Sequence, residues 1–389
     1  MKILFISISC LFVFGFQLDA QTTLNPEISI IPRFSISTND AEESDGHNDI
    51  SHKKFNLSTP VGKLDEIELG LQGYLNPYAR GDIFLSWHGL EGKVEIEEAY
   101  ASFVRGLPFN LNIRAGKYLV EFGKLNIIHP HAWSFVDQPF VLKNFLGEEG
   151  LNMLGLSASS LLPTGELYSR ITFDVLRKLP ADVHTDELNM HAHEIASMVL
   201  GDTLTDPRYF FSSRMITFFP ISDYSDLELG ISGLTGIHDR YYEERFYYGN
   251  LDFKYKWKPS MYQSLTLQGE WLINFRKAFR DGDTTYFIEN GKRVSKQFFS
   301  TGLYLFGDYQ LDKRYTVGAR VDYSQFPYNN DDYEYGASLF LGFYPVEETT
   351  VFRLQFSHTK LNIGNEIKNI NSITLQFLFS LGPHRAHIF

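Results

Sequence analysis

Residues Phe246–Trp257 read FYYGNLDFKYKW, and the fold is decided by how they alternate. Tyr247, Gly249, Leu251, Phe253, Tyr255 and Trp257 share one face, and Tyr248, Asn250, Asp252, Lys254 and Lys256 share the other. A period of two is the signature of a β-strand. An apolar face that ends in Tyr and Trp suits hydrocarbon, with its ends at the lipid headgroups. The charged face requires water. A strand with lipid on one side and water on the other is a stave of a transmembrane barrel.

The same pattern repeats along the chain in both directions. Ile67, Leu69 and Leu71 oppose Glu66, Glu68 and Gln72, and Ile83, Leu85 and Trp87 oppose Arg80, Asp82 and Ser86. Leu111, Ile113 and Ala115 oppose Asn110, Asn112 and Arg114. Within Lys93–Val104 the phase slips between Ile96 and Ala99, which predicts a bulge near Glu97-Glu98. Sixteen such strands are predicted from Glu27 to Leu381, an even number as in bacterial single-chain barrels. Every second connection is short: NPYA, RGLP, PTG, PISDY, KPSMY, LDK, PVEE. The intervening ones, 37–63, 121–150, 179–207, 277–297 and 361–371, are mostly long. Short periplasmic turns alternating with long extracellular loops are the expected asymmetry, and they place both termini on the periplasmic side. The expected fold class is therefore an all-β transmembrane antiparallel barrel of about sixteen strands. A soluble sandwich also alternates, but its strands average about 5–6 residues, shorter than the runs here.

Composition agrees. Of 389 residues, 15% are aromatic, with 34 Phe and 22 Tyr, yet 21% are charged. Aromatic girdles and a wet lumen together demand that mixture. The net charge of −12 argues against a nucleic-acid partner, whose phosphates call for a basic surface. Lys2, the apolar run Ile3–Phe16 and Leu18-Asp19-Ala20 read as a signal peptide over 1–20, leaving 21–389 as one barrel domain. The single cysteine, Cys10, lies in that apolar run, so the mature chain is expected to have neither disulfide nor thiolate metal site. Past the signal, no apolar run reaches the roughly 20 residues of a spanning helix. An outer membrane of a Gram-negative bacterium is the expected location.

The stretch 121–150 keeps no period. Its core, GKLNIIHPHAWSFVDQPFVLKNFLGEEG from Gly123 to Gly150, is apolar and aromatic between two regular strands. Such a loop needs burial, and a barrel offers its lumen. It is expected to fold inward as a constriction, with His129, His131, Trp133, Asp137 and Lys143 at the narrowing. The lumen wall is expected to be wet and of mixed charge. Its cations include Arg114, Lys254, Lys256, Arg276 and Arg320, and its anions include Asp252, Glu270 and Asp322. On a lipid face each would cost about 2–4 kcal/mol near the midplane.

Two places invite a divalent cation. His129-Pro130-His131 holds two imidazoles close together, with Asp137 as a conceivable third ligand. The loop 179–207 carries His184, His191, His193 and Glu194, with His191 and Glu194 spaced i,i+3 on a helix begun near Thr185. No other cofactor is expected. No GxSxG or comparable nucleophile motif marks a hydrolase, so the chain is not expected to be an enzyme.

The stretches NPYARGDIFLSWHG, VEIEEAYASF and NLNIRAGKYLVEFGKLNIIHPHAWSFVDQPFVLKNFLGEEGLNMLG, with the tail SLGPHRAHIF, carry a resemblance. Through them the chain resembles a family of uncharacterised porin-like outer-membrane barrels, often labelled zinc-regulated TonB-dependent outer membrane receptors. That family is related more distantly to the phosphate-selective porin O/P group. The resemblance implies an outer-membrane, porin-like barrel. The expected function is passive or weakly selective passage of small polar solutes or ions, with outer-membrane lipid as surroundings and a homo-oligomer as a possible assembly. The alternative is a closed or plugged barrel that binds a ligand, metal or partner at the cell surface.

Overall fold

A computed structural model describes residues 26–40, 59–89, 92–165, 167–177, 209–239, 244–278, 280–281, 285–327, 329–346, 349–364 and 366–382. The signal segment 1–20 and the terminal extension past Gly382 lie outside the described residues, as does the loop 179–207 with His184, His191, His193 and Glu194.

Sixteen antiparallel strands close into one barrel. They are β1 (Glu27–Asn39), β2 (Val61–Asn76), β3 (Ala79–Trp87), β4 (Val94–Phe103), β5 (Asn112–Leu119), β6 (Asn152–Leu162), β7 (Tyr168–Arg177) and β8 (Tyr209–Ser222). There follow β9 (Ser225–Asp239), β10 (Glu244–Trp257), β11 (Ser264–Ala278), β12 (Lys296–Gln310), β13 (Tyr315–Phe326), β14 (Asn329–Val346), β15 (Thr350–Ile363) and β16 (Glu366–Phe379). Each strand pairs with its sequence neighbours, and β1 pairs with β16 from Arg33↔Leu378 to Asn39↔Ser372. Closure gives every strand of the wall two neighbours, although β4 pairs with β5 only from Ala99 to Phe103.

Alternation decides which face points where. On β2, Glu66, Glu68 and Gln72 are buried inside, while Ile67, Leu69 and Leu71 turn outward. On β10, Asn250 and Asp252 are buried, while Tyr247, Leu251 and Trp257 are exposed. Near the short-turn end an aromatic belt crosses the closing seam. Its ring centroids are spaced 5.3 Å for Tyr315–Phe343, 6.1 Å for Phe343–Phe352, 4.8 Å for Phe352–Phe377 and 6.4 Å for Phe377–Phe34.

The β3–β4 register skips one residue, with Phe84 opposite Glu98 and Leu85 opposite Ile96. Glu97 is thus the extra residue of a bulge, and it restores the inward phase. One connection departs from expectation. Residues 361–371 do not form a loop: β15 and β16 stay paired to Ile363↔Glu366 and turn at Gly364, whose φ is +57°. The stretch reads as loop because each face mixes polar and apolar residues there: Leu361 and Ile363 pair with Lys368 and Glu366, and Asn362 pairs with Ile367. Between β11 and β12, two short ribbons pair Arg280–Asp281 with Thr285–Tyr286 and Ile288–Glu289 with Lys292–Arg293.

Candidate functional site in the lumen

Residues 120–151 leave β5, cross the barrel interior and return to β6. Asn126 closes the neck: its amide donates to the Val120 carbonyl at 2.8 Å and accepts from the Leu151 amide at 2.8 Å. Gly123 has φ +74°, and a β-carbon there would collide with the Glu270 carboxylate. Glycine is required because backbone must lie directly on the wall. The Lys124 and Leu125 amides then donate to Glu270 Oε1 at 3.1 and 2.7 Å, and Lys124 Nζ reaches Glu228 on β9 at 2.7 Å. Glu121 turns toward β7, where Arg170 and Thr172 donate to it at 3.0 and 3.1 Å.

The middle of the segment meets the opposite wall. Ser134 donates to Asp308 on β12 at 2.7 Å, and the Val136 amide to Gln355 on β15 at 2.8 Å. Phe135 is buried between Phe306 and Phe340, with centroids 5.2 and 6.0 Å away. A one-turn 3₁₀ helix, Pro130–Ala132, and a short α-helix α1 (Phe140–Leu146) shape the path. Pro139 precedes α1 and Gly147, at φ +95°, ends it. Val141, Leu142, Phe145 and Leu146 of α1 are buried, and Asn144 donates to Glu334 on β14 at 2.6 Å. Gly302 on β12 makes room for Val141, since a β-carbon there would stand 2.6 Å from it.

The expected narrowing residues separate. His129 and His131 face β2 and β4, where Glu68 Oε2 lies 2.9 Å from His129 Nδ1 and 3.2 Å from His131 Nδ1. Glu98 Oε1 is 2.8 Å from His129 Nε2. Burial would lower the His129 pKa, but the Glu68 and Glu97 carboxylates outweigh it and hold the imidazole well above the usual histidine range. Trp133 bonds within the segment, its indole donating to the Ile128 carbonyl at 2.8 Å. Asp137 does not join the histidines. It is held by Arg320 on β13, at 3.1 Å, and by Gln355, because the chain has already crossed to the far wall. Lys143 touches no wall residue in its recorded ion pair. It meets Glu148, of the same segment, at 3.1 Å in an exposed position.

The expected lumen charges are mostly engaged. Arg320 joins Asp322 at 2.7 Å, and Asp252 takes a two-pronged contact from Arg214 at 2.6 and 2.9 Å. Arg114 lies over the rings of Tyr100 and Tyr118, 4.8 and 5.3 Å from their centroids. Arg276 is buried beside the Phe298 ring, and Lys254 and Lys256 are half-buried. Arg214 was missed at the sequence level, though it shares parity with Phe210 and Ser212, both buried inside. Not all of the lumen face is wet. Phe210, Leu234, Phe246, Tyr248 and Leu272 point inward and pack against the segment as one apolar cluster. On the other side, between the segment and the β1–β5 wall, a cleft of about 360 Å³ remains, lined by Arg33, Lys63, Glu66, Glu97 and Lys117 among others.

No family model matches the chain. Over 95% of its length it is 28% identical to an uncharacterised protein of Aquifex aeolicus (strain VF5), of which it spans 81%. Among solved structures it is similar to an anion-selective porin from Comamonas acidovorans, with a TM-score of 0.56 and 7% identity, covering 92% of this chain and 99% of that one. The fold is that of the outer-membrane porins. OprB of Pseudomonas putida gives a TM-score of 0.54 at 9% identity, over 92% and 94% of the two chains. OmpT of Vibrio cholerae, in a trimer form, gives 0.51 at 6% identity, over 92% and 100%. At these identities the likeness is one of fold.

Proposed function

We propose that this chain is a porin-like channel of a Gram-negative outer membrane that passes small polar solutes or ions through a lumen reduced to a side cleft. The carrying observation is the cleft beside the β1–β5 wall, left where residues 120–151 do not fill the barrel. Its lining holds Arg33, Lys63 and Lys117 against Asp65, Glu66, Glu95, Glu97, Glu148 and Glu149, so both signs are present and carboxylates outnumber the cations. A mild preference for cations follows, since strong selectivity requires a ring of one sign at the constriction. A sixteen-stranded wall is smaller than the 22 strands of plugged outer-membrane transporters, which disfavours a TonB-dependent role. The trimer form of one neighbour makes a homo-oligomer a reasonable assembly.

A second reading is supported by the burial of Phe135, Val141, Phe145 and Leu146 against the wall, which is how a plug packs. In it the barrel is closed and serves as a surface ligand- or partner-binding protein. Planar-bilayer recordings separate the two. The channel reading expects discrete conductance from the purified protein and a severalfold increase on deleting Phe135–Lys143. A silent native barrel sinks the channel reading, and conductance only after the deletion establishes the plug.

A further inference from the structure

We propose that Glu68, His129 and His131 bind a divalent first-row transition cation inside the barrel, tying residues 120–151 to the β2–β4 wall. One oxygen, Glu68 Oε2, faces both imidazoles: 2.9 Å to His129 Nδ1 and 3.2 Å to His131 Nδ1. The three ligand atoms all lie within 4.8 Å of one another. Ligands held about 2.0–2.2 Å from a tetrahedral or octahedral ion stand roughly 2.9–3.5 Å from each other. The two measured edges fall in that range.

Hydrogen bonding does not account for the convergence. Glu68 is buried at 2% exposure, yet its Oε2 makes no hydrogen bond, and neither does the buried His129 Nδ1. The other nitrogen of His129 explains the orientation. Nε2 lies 2.8 Å from Glu98 Oε1, so in the neutral ring the proton belongs on Nε2 and the lone pair is on Nδ1, the nitrogen 2.9 Å from Glu68 Oε2. A carboxylate oxygen and an imidazole lone pair this close in a buried place repel each other unless they share a positive charge, a metal ion or a proton. A carboxylate behind a ligating histidine is the usual supporting partner of such a site, fixing tautomer and ring orientation.

The surroundings add negative charge. Oxygens of Glu66, Glu68 and Glu97 also fall within 4.8 Å of one another, and Arg33 engages Glu66 at 3.1 Å. The bulge at Glu97 is what aims both Glu97 and Glu98 at His129, a common use of bulges. Glu66 and Glu97, whose oxygens neighbour Glu68, also line the cleft, which brings open space to the edge of this acidic group. Two imidazoles and a carboxylate suit zinc, cobalt, nickel or iron in the divalent state, whereas magnesium and calcium prefer all-oxygen sites. The site depends on the fold alone and stands whether or not the lumen conducts.

The rival occupant is a proton, with His129 as an imidazolium between Glu68 and Glu98, and one experiment divides the two. Full-length barrel, stripped with chelator, is titrated with Co²⁺ while the visible absorption and the binding heat are recorded, with Mg²⁺ as control. The expected result is one Co²⁺ per chain with nitrogen–oxygen ligand-field bands, and no comparable uptake of Mg²⁺. The double variant His129→Gln/His131→Gln should lose about 100-fold or more in affinity, and Glu98→Gln, which keeps all three ligands, about tenfold. Circular dichroism reports whether each variant remains a folded barrel. Glu68→Gln, nearly isosteric, replaces the double variant if that one fails to fold, and the same loss is expected. A native barrel that takes up no Co²⁺, equal uptake of Mg²⁺, or undiminished Co²⁺ binding in the folded ligand variant each overturns the proposal.

Discussion

Arg320 and Asp137 join the barrel wall to the middle of the inward segment: the guanidinium donates to the Asp137 carbonyl at 2.7 Å and to its carboxylate at 3.1 Å. The same guanidinium lies 4.4 Å from the centre of the Phe135 ring and bonds Asp322 at 2.7 Å. Arg320 is 1% exposed, so these contacts are poorly screened. One planar fork therefore serves the wall and the segment at once, and lysine cannot replace it.

Replacing Arg320 should accordingly do two things. Arg320→Ala leaves Asp322 buried without its partner, which costs about 3–5 kcal/mol. It also frees the stretch from Phe135 to Asp137. The expected outcome is an earlier urea unfolding midpoint together with noisier, larger conductance. Arg320→Lys should recover only part of either. Unchanged conductance with the lowered midpoint would show that the segment is held without this contact.

The start of the segment makes a sharper test, because it depends on one missing atom. Gly123→Ala places a β-carbon against Glu270 and Asn250 at a left-handed φ of +74°. The conformation alone costs about 1–2 kcal/mol for an alanine. Relief requires the backbone to lift, which breaks the amide contacts of Lys124 and Leu125 to Glu270. Gly62→Ala is the control, since nothing lies within 4 Å of the added carbon. Limited proteolysis of the segment should accelerate in the first variant and not in the second. Equal protection in both would contradict the close packing of backbone on wall.

The strands were legible in the sequence because each meets lipid on one side and water on the other, as Phe246–Trp257 shows. The bulge was legible for the same reason: Val94 and Ile96 cannot share a face with Ala99 and Phe103 unless one residue is extra. Where each face mixes polar and apolar residues, as at Lys360–Asn369, the period vanishes and a paired ribbon reads as a loop. The lumen was less legible still. Phe210 and Leu234 point inward because residues 120–151 cover them, and no local pattern reports a cover so distant in the chain. Asp137 was a plausible companion for His129 by nearness in sequence, but the segment's path takes it to Arg320. The carboxylates that do face His129 come from β2 and from the bulge of β4, contacts that no spacing rule specifies.

Phe145 measures how far the segment behaves as core. It is fully buried, 5.5 Å from the Tyr248 ring centroid, within the cluster formed by Phe246, Leu272 and the α1 residues Val141, Leu142 and Leu146. If that cluster unfolds with the barrel, Phe145→Ala should cost about 3–5 kcal/mol, as for other large-to-small changes in packed interiors. Trp133 fluorescence and far-ultraviolet circular dichroism should then lose signal at one shared urea concentration. A midpoint for Trp133 well below that of the strands would instead mean that the segment leaves the lumen before the barrel opens.

Lys143 supplies the contrasting case. It sits on the same helix two residues before Phe145, yet its side chain is 40% exposed and its ion pair is with Glu148, itself 42% exposed. Pairs of that kind contribute less than about 1 kcal/mol, because water screens the charges and both side chains give up freedom to meet. Lys143→Met should therefore leave the unfolding midpoint almost where it was and keep the segment in place. Its effect on conductance should be confined to a modest shift in cation-to-anion preference, read from the reversal potential under a salt gradient. A loss of stability comparable to that of Phe145→Ala would mean that Lys143 anchors the segment, and the assignment of anchoring to the buried apolar side of α1 would have to be withdrawn.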